Sequence, residues 1–421
     1  MEAPPERALQ ALKHRDFRLV ALGNMVSQLG FWAQYVAVGL AARSLTDSSF
    51  LVASMFSAQF WPSLLLSPVA GVLADRWDRR KLVMFGNLAM VAPPFLLGVL
   101  AQRGDLTLLS LFALVFLGGA GQAFTQPATV AFIPALVPPQ DLHSAIALNS
   151  GLTSSTRVVG PAIAGGIIGA WGLAWGFQVN AVSFLAVTMA CSAVRIRPPK
   201  QVIAGEGMVS QLRSGAAYAR SNPAVFRLIL FTGVQSFFMM QAALMSIFAK
   251  DVLHGDDQTY GWLSAAPGTG FVLGAVAATS LRRAGQRRIA LVLSSMAMGV
   301  AFLIIGLSRT VIITVGALGL FGLGWFTMYT LVTTMLITVS DDEYRGRVMG
   351  LFSTLTTGLI PINSLVAGAI AEGLGAPLTV GLCGVAVLSF LLLFCVTGGL
   401  SAVKAATPSF PVIIAPLTEP A

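Results

Sequence analysis

The chain has 421 residues, of which 56% are hydrophobic and only 10% charged, against roughly a quarter charged in ordinary soluble domains. A soluble fold could not bury so much apolar surface, so the composition excludes a soluble globular protein. The three cysteines all fall in apolar segments, which does not indicate a disulfide framework.

Long apolar segments follow one another along the chain, each able to cross a hydrocarbon core about 30 Å thick as an α-helix. The first is too long for a signal-peptide core and no small-residue cleavage site follows it, so we expect a retained span. The sequence predicts an all-α polytopic membrane protein with 12 transmembrane helices. The predicted helices cover 17–42, 48–74, 81–102, 106–132, 142–170, 172–194, 223–249, 258–281, 288–308, 310–339, 345–371 and 376–398.

An internal repeat groups these helices into two six-helix bundles. Residues 138–170 resemble residues 340–374, and the match aligns Pro161 with Pro361. A duplicated six-helix unit is typical of transporters that bind substrate near the bilayer midplane, between the repeats. The expected organisation is an N-terminal segment 1–16, a first bundle 17–194, a central loop 195–222, a second bundle 223–398 and a tail 399–421.

The net charge of +9 could indicate a nucleic-acid partner, but the distribution of the 26 basic residues favours a membrane orientation signal. Only Arg43, Arg103, Lys250 and Arg309 fall on one side of the predicted helices, and Arg157 lies inside a helix. The others cluster on the opposite side. By the positive-inside rule, this asymmetry predicts a cytoplasmic (inner) membrane protein with both termini in the cytoplasm and no nucleic-acid partner.

The loop after the second predicted helix reads GVLADRWDRRK over residues 71–81. It resembles the signature loop of the major facilitator superfamily of transporters, with Gly71, Asp75, Arg76, Arg79 and Arg80 at the matching positions. One residue departs from the family pattern, since an aspartate at position 78 replaces the usual glycine. A left-handed turn is expected there, which aspartate tolerates better than most residues.

The resemblance implies a gating role for this loop. Asp75 would cap the N-terminal end of the eleventh helix in the outward-facing state and lose that partner in the inward-facing state. The basic residues would anchor the loop at the anionic cytoplasmic leaflet. The alternative is a charged cap that only fixes the topology.

The fifth predicted helix carries RVVGPAIAGG over residues 157–166. It is similar to the glycine-proline motif of the superfamily's antiporters, with three residues instead of the usual two between Gly-Pro and the following glycine pair. Gly160, Pro161 and Gly165 allow close helix approach and bending, which either serves alternating access or is ordinary packing. Arg157 stands deep in the membrane, where a lone cation costs at least about 2.5 kcal/mol, so we expect it to bind an anionic or polar substrate group or a coupling carboxylate. A structural role is the alternative.

Several predicted helices carry polar and aromatic side chains on one face, which is typical of a cavity for a hydrophobic or amphipathic organic substrate. The alternative for each single amide is an interhelical hydrogen bond. The candidate cavity residues are Asn24, Gln28, Phe31, Trp32, Tyr35, Gln59, Gln122, Gln126, Gln235, Phe238 and Met239.

The sequence lacks the residues that several other functions would need. No carboxylate lies near the centre of a predicted helix, so proton coupling rests on the resemblance, with Asp75 the best candidate by elimination. No phosphate-binding Gly-Lys-Ser/Thr loop, intramembrane nucleophile or metal-ligand spacing occurs. The sequence therefore predicts neither an enzyme nor a metal or cofactor site.

Phrases along almost the whole chain, such as PALVPPQDLHSAIALNSG and DEYRGRVMGLFS, resemble the branch of the superfamily that exports drugs, macrolides and siderophores. The resemblance implies a monomeric secondary transporter that exports a small molecule by alternating access, with protons as the exchanged ion. Two alternatives are an importer or facilitator of a small nutrient on the same fold, and a non-transporting sensor with a transporter-like body.

Overall fold

A computed structural model describes residues 10–76, 78–195, 208–238, 242–281, 284–341, 343–399 and 401. Nearly all of these residues are helical, and no strand occurs among them. Within the same ranges, nine helices are long and apolar enough to cross a membrane. The predicted all-α membrane architecture is confirmed, and the count of twelve spans, with which these helices are consistent, stays a prediction.

The first half of the chain consists of α1 Arg15–Leu45, α2 Ser49–Arg76, α3 Arg79–Arg103, α4 Leu108–Phe132, α5 Leu142–Trp171 and α6 Leu173–Ser192. A short helix, α7 Met208–Ser221, precedes the second half. The second half consists of α8 Pro223–Phe237 with its continuation Ala242–Val252, α9 Asp257–Ser280, α10 Ala284–Leu307, α11 Val311–Val339, α12 Arg345–Leu374 and α13 Ala376–Val396.

Three helices predicted as continuous are interrupted. In α3 the helix breaks at Met90 and Val91, just before two prolines that lack the N–H needed to continue it. In α12 a π turn at 354–358 precedes Pro361, and π turns commonly accommodate such a local misfit. The first segment of α8 ends at Phe237, and the next helical residue that the structure describes is Ala242.

Within each half the helices pack pairwise, α1 against α6 and α2 against α4 in the first, and α9 against α11 and α10 against α13 in the second. Between the halves, α5 packs against α9 and α2 against α12. We call the end of the bundle that holds residues 10–13 and α7 the terminal face. The opposite end, with the connections 46–48, 253–256 and 375, is the loop face.

Corresponding turns in the two halves have the same unusual backbone. Gly172 joins α5 to α6 with φ 91° and ψ 165°, and Gly375 joins α12 to α13 with φ 80° and ψ 153°. This combination of φ and ψ is essentially restricted to glycine. The shared one-residue turn agrees with the internal repeat around Pro161 and Pro361.

Small and amide side chains join the helices inside the first half. Asn180 of α6 donates to the Gln34 side-chain oxygen of α1 at 2.6 Å, and both residues are buried. One turn away, Gly30 faces Ser183 so closely that a Cβ would clash with it. Such contacts replace the hydrophobic driving force that is missing between helices in lipid.

Candidate functional site

The two halves enclose a cavity at mid-depth, formed by α1, α2, α4 and α5 on one side and by α11 and α12 on the other. An inner compartment of about 480 Å³ is lined by Gln28, Phe31, Trp32, Phe60, Ser63, Leu64, Gln122, Gln126, Thr153, Arg157, Ser353, Thr354, Thr357 and Gly358. An outer compartment of about 360 Å³ lies about one turn of α1 closer to the terminal face. It is lined by Asn24, Gln28, Gln126, Thr129, Val130, Ile133, Asn149, Ser150, Thr153, Arg157, Trp325, Phe326 and Tyr329.

Four side chains line both compartments and stand at their junction: Gln28, Gln126, Thr153 and Arg157. Arg157 is accessible from the cavity, and its guanidinium carbon lies 5.9 Å from the ring centre of Phe271 in α9. A cation over an aromatic face is attracted by the ring quadrupole. Arg157 therefore belongs to the first half but contacts the second.

The first half contributes an amide-rich wall. Asn24, Gln28, Gln122 and Gln126 all line the cavity or its extension between α1, α3 and α4. Asn24 donates to the Asn149 side-chain oxygen at 3.3 Å, which connects α1 to α5 beside the outer compartment. The remaining amide donors and acceptors can serve a ligand.

An aromatic cluster closes the inner end of this wall. Phe31 and Trp32 line the cavity with ring centres 5.5 Å apart. Tyr35 packs behind them, 5.4 Å from Trp32 and 5.1 Å from Phe56. Tyr35 is thus a support for the lining and not among the described lining residues.

A second aromatic wall, on α11, was not predicted. Trp325, Phe326 and Tyr329 line the outer compartment, and Tyr329 continues into Phe352 of α12 at 5.2 Å. The helix contains no charged or amide side chain, and its threonines are spread along its length, so its sequence does not mark the cavity face. The aromatic spacing of i, i+1 and i+4 was the available signal.

The hydroxyls on α12 were also missed. Ser353, Thr354 and Thr357 line the inner compartment at the π turn, where the extra residue rotates the following side chains relative to a regular helix. The sequence does not reveal a π turn, and regular periodicity misplaces this face.

Besides Tyr35, three predicted cavity residues are not among the described lining residues, and a fourth lies at a position that the structure does not describe. Gln59 is 6% exposed, Gln235 is fully buried inside the second half, and Phe238 packs on Phe237 at 5.4 Å. The prediction assumed a continuous helix over 223–249, whereas the first segment of α8 ends at Phe237. Met239 lies outside the described residues.

The described part of the signature loop has local structural roles. Arg80 donates to the carbonyls of Cys191 and Ser192 at 2.8 and 2.7 Å, which satisfies the C-terminal end of α6. Asp78 accepts from the Lys81 N–H at 3.2 Å and caps α3. Its φ of −64° makes the expected left-handed turn wrong, because aspartate serves here as an N-cap.

The structure assigns no contact of the other signature residues to a gating role. Gly71, Asp75 and Arg76 belong to the last turns of α2, where the structure describes the helix and not the surroundings of its side chains. Arg79 is half-buried at the first position of α3. The gating role of the loop therefore stays a prediction.

The glycines of α5 make close contacts with two different helices. A Cβ on Gly160 would stand 2.7 Å from the Trp32 ring of α1, and a Cβ on Gly165 would stand 2.7 Å from the Cα of Gly261 in α9. Pro161 is buried between them. The second contact joins the two halves on the loop-face side of Arg157.

Polar contacts also join the halves at the loop face. Arg43 of α1 donates to Asp251 of α8 from Nε and Nη2 at 3.0 and 2.9 Å, and to Asp47 at 2.7 Å. Glu372 of α12 accepts from the Phe50 N–H and the Ser48 hydroxyl at the start of α2, both at 3.1 Å. The two halves are thus in contact with each other at the loop face.

The same halves diverge toward the terminal face. Val130, which lines the outer compartment, is 64% exposed. Ser57, closer to the loop face, is 1% exposed and donates to the Pro361 carbonyl across the halves at 3.0 Å. The cavity is therefore sealed on the loop-face side and accessible from the terminal side.

Removing the Arg43 to Asp251 pair should loosen the loop face. Asp251→Asn is expected to favour its opening by about 0.5 to 1 kcal/mol, or about two- to fivefold, because the pair is partly solvent-screened. The measurement is the rate at which a water-soluble maleimide alkylates Ser57→Cys after Cys191, Cys383 and Cys395 are replaced by serine. Asp257→Asn is the matched control, since its 2.6 Å pair with Lys250 lies within the second half. Equal rates in the two variants would contradict the expectation.

No group of three or more metal-binding side chains occurs in the part of the chain that the structure describes. The cavity has hydrogen-bonding and stacking surfaces and one cation, which suits reversible binding of an organic molecule.

Comparison with known proteins places the chain in a family. Residues 7–411 match the transmembrane secretion effector family. Macrolide efflux protein A of Streptococcus pyogenes is 25% identical over 366 residues, covering 85% of this chain and 90% of that protein. The enterobactin exporter EntS of Shigella boydii is 26% identical over 369 residues, covering 87% and 86%.

Solved structures show the same fold at lower identity. The nucleoside transporter NupG superposes with a TM-score of 0.72 at 11% identity, covering 91% of this chain and 98% of that chain. A bacterial homologue of the iron transporter ferroportin gives 0.68 at 18% identity, covering 90% and 98%. The chain therefore belongs to the transmembrane secretion effector family of major facilitator transporters.

Proposed function

We propose that this protein is a secondary transporter that exports hydrophobic or amphipathic small molecules by alternating access. The observation that carries the proposal is the cavity between the halves, sealed on the loop-face side and accessible from the terminal side. Its amide and aromatic lining suits an organic molecule of mixed polarity. Macrolides and enterobactin are the cargoes that the names of the two relatives give, and both relatives are efflux proteins.

The orientation follows from charge. The basic residues cluster on the terminal face, which makes that face cytoplasmic under the positive-inside rule. The described conformation is then inward-facing, ready to load cargo from the cytoplasm or the inner leaflet. The proposed location is the bacterial cytoplasmic membrane, with both termini inside, and the proposed working unit is a monomer.

Transport requires the loop face to open after the cytoplasmic side closes. The contacts to be broken include the polar interactions of Arg43 and Glu372, the Ser57 hydrogen bond to Pro361 and the backbone packing of Gly165 on Gly261. A membrane potential of 100 mV supplies about 2.3 kcal/mol per charge moved, which is comparable with the free-energy difference of a few kcal/mol between the inward-facing and outward-facing states.

Proton exchange is proposed with Asp75 as the titrating group, since the described cavity lining contains no carboxylate.

Accumulation of fluorescent lipophilic dyes and macrolides in efflux-deficient cells tests this proposal. Cells with the wild-type protein should accumulate less than cells with an Asp75→Asn variant at matched membrane levels, and a protonophore should abolish the difference. Increased accumulation with the wild-type protein would indicate an importer. No difference for any compound of the panel would contradict export of lipophilic compounds.

A further inference from the structure

One charged side chain occurs among the described residues that line the cavity, and it is Arg157. It stands at the junction of the two compartments, so a molecule that occupies either compartment lies beside it. A single cation in the membrane interior is costly unless something compensates its charge. The compensation visible in the structure is the Phe271 ring, 5.9 Å from the guanidinium carbon, and Arg157 lines both compartments.

An anion would supply the missing charge. Among the lining residues that the structure describes, neither Asp nor Glu occurs, so no lining carboxylate competes for Arg157. The guanidinium offers a planar fork of donors that matches a carboxylate or sulfonate, and stacking on an aromatic ring holds that fork in place.

The neighbours of Arg157 extend this donor set. Gln28, Gln126 and Thr153 line both compartments around it, and each can donate a hydrogen bond to an anionic oxygen. In a site of low dielectric constant these neutral donors stabilise an anion without adding charge. A cationic group at the same place would face Arg157 with no carboxylate in the described lining to offset the repulsion.

Aromatic surfaces lie on both sides of this donor cluster. Trp325, Phe326 and Tyr329 flank it in the outer compartment, and Phe31 and Trp32 flank it in the inner one. A ligand ring can stack on either surface while its acidic group reaches Arg157. The two volumes, about 480 and 360 Å³, fall in the range typical of sites for drug-sized ligands.

We infer that the cavity selects amphipathic organic anions, meaning molecules with aromatic rings and one carboxylate, sulfonate or acidic hydroxyl, and that it disfavours organic cations. Arg157 is the residue that sets this charge preference. The inference rests on the proposed function, because it identifies the cargo class of the same cavity.

Equilibrium binding to the purified full-length protein tests the charge preference. The probes are 8-anilinonaphthalene-1-sulfonate, an anion, and N-phenyl-1-naphthylamine, the same ring system without the sulfonate. Tetraphenylphosphonium serves as the cation. Quenching of tryptophan emission reports binding, since Trp32 and Trp325 line the cavity.

The sulfonate should bind about tenfold or more tightly than its neutral analogue, as expected for a charge-assisted hydrogen bond. Arg157→Met should remove this preference while it changes the affinity for the neutral probe by less than about twofold. Arg157→Lys should keep part of the preference, because it retains the charge and loses the fork. Arg103→Met, at the exposed end of α3 on the loop face, is the control and should behave as wild type.

Two results would overturn the inference. One is wild-type binding of the three probes without preference for the anion. The other is an equal loss of affinity for anion and neutral probe in Arg157→Met, which indicates a structural role.

Transport of the same probes in vesicles separates this inference from the proposed function. If the sulfonate binds with the expected preference and no probe is transported, the proposed function fails and the charge preference stands. If neutral or cationic probes are transported at least as well as the sulfonate, the charge preference fails and the proposed function stands.

Discussion

Gly165→Val is expected to reduce transport at least about tenfold and to hold the loop face open. A Cβ at this position would stand 2.7 Å from the Cα of Gly261, and backbone cannot move aside as a flexible side chain can. The contact exists only where α5 and α9 meet across the halves, so the clash penalises the closed loop face. The measurements are dye efflux and the maleimide alkylation rate of Ser57→Cys, which should rise.

The adjacent glycine provides the control for this substitution. A Cβ on Gly166 would meet nothing within 4 Å, and this residue is exposed on the same helix turn. Gly166→Val changes helix propensity as Gly165→Val does, but its Cβ has no neighbour across the halves. If both variants lose transport equally at equal membrane levels, the closure of α5 on α9 is not the cause.

Gly270→Val is expected to destabilise the second half by about 3 kcal/mol or more. Gly270 of α9 faces α11 so closely that a Cβ would overlap the carbonyl oxygen of Gly319 and stand 2.5 Å from the backbone nitrogen of Leu323. Four residues on, a Cβ at Gly274 would stand 2.8 Å from the Leu323 carbonyl oxygen. This spacing of small residues is the one that lets membrane helices approach closely.

The thermal unfolding midpoint of the purified protein and its membrane level measure this effect. Both should fall in Gly270→Val and stay near wild type in Gly316→Val, where a Cβ on the exposed side of α11 would meet nothing within 4 Å. Similar midpoints in the two variants would show that the α9 to α11 contact is not limiting for stability.

The fold was predictable because bilayer thickness, charge asymmetry and the internal repeat constrain it strongly. The amide wall on α1 and α4 and the position of Arg157 were also predictable, since a polar residue in a long apolar helix stands out. The wall formed by Trp325, Phe326 and Tyr329 was missed because aromatic residues occur on lipid-facing and cavity-facing sides of a membrane helix alike.

Helix irregularities account for the other differences. Phe238 was assigned to the cavity on the spacing of a regular helix, but the first segment of α8 ends at Phe237. Gln235 lies within that segment and is buried inside the second half. The π turn of α12 likewise turns Thr354 and Thr357 into the inner compartment. The Arg43 to Asp251 pair was missed because the pairing of two distant loop-face residues depends on how the halves dock, which local sequence does not encode.

Concentrative uptake of 8-anilinonaphthalene-1-sulfonate by energised inside-out vesicles from efflux-deficient cells is the most direct test of alternating-access export. Vesicles with the wild-type protein and with Gly166→Val should accumulate the probe above its concentration in the medium. Gly165→Val vesicles should match vesicles without the protein. Wild-type vesicles that do no better than vesicles without the protein for this probe and also for its neutral and cationic counterparts, or uptake that occurs only in right-side-out vesicles, would contradict export through this cavity.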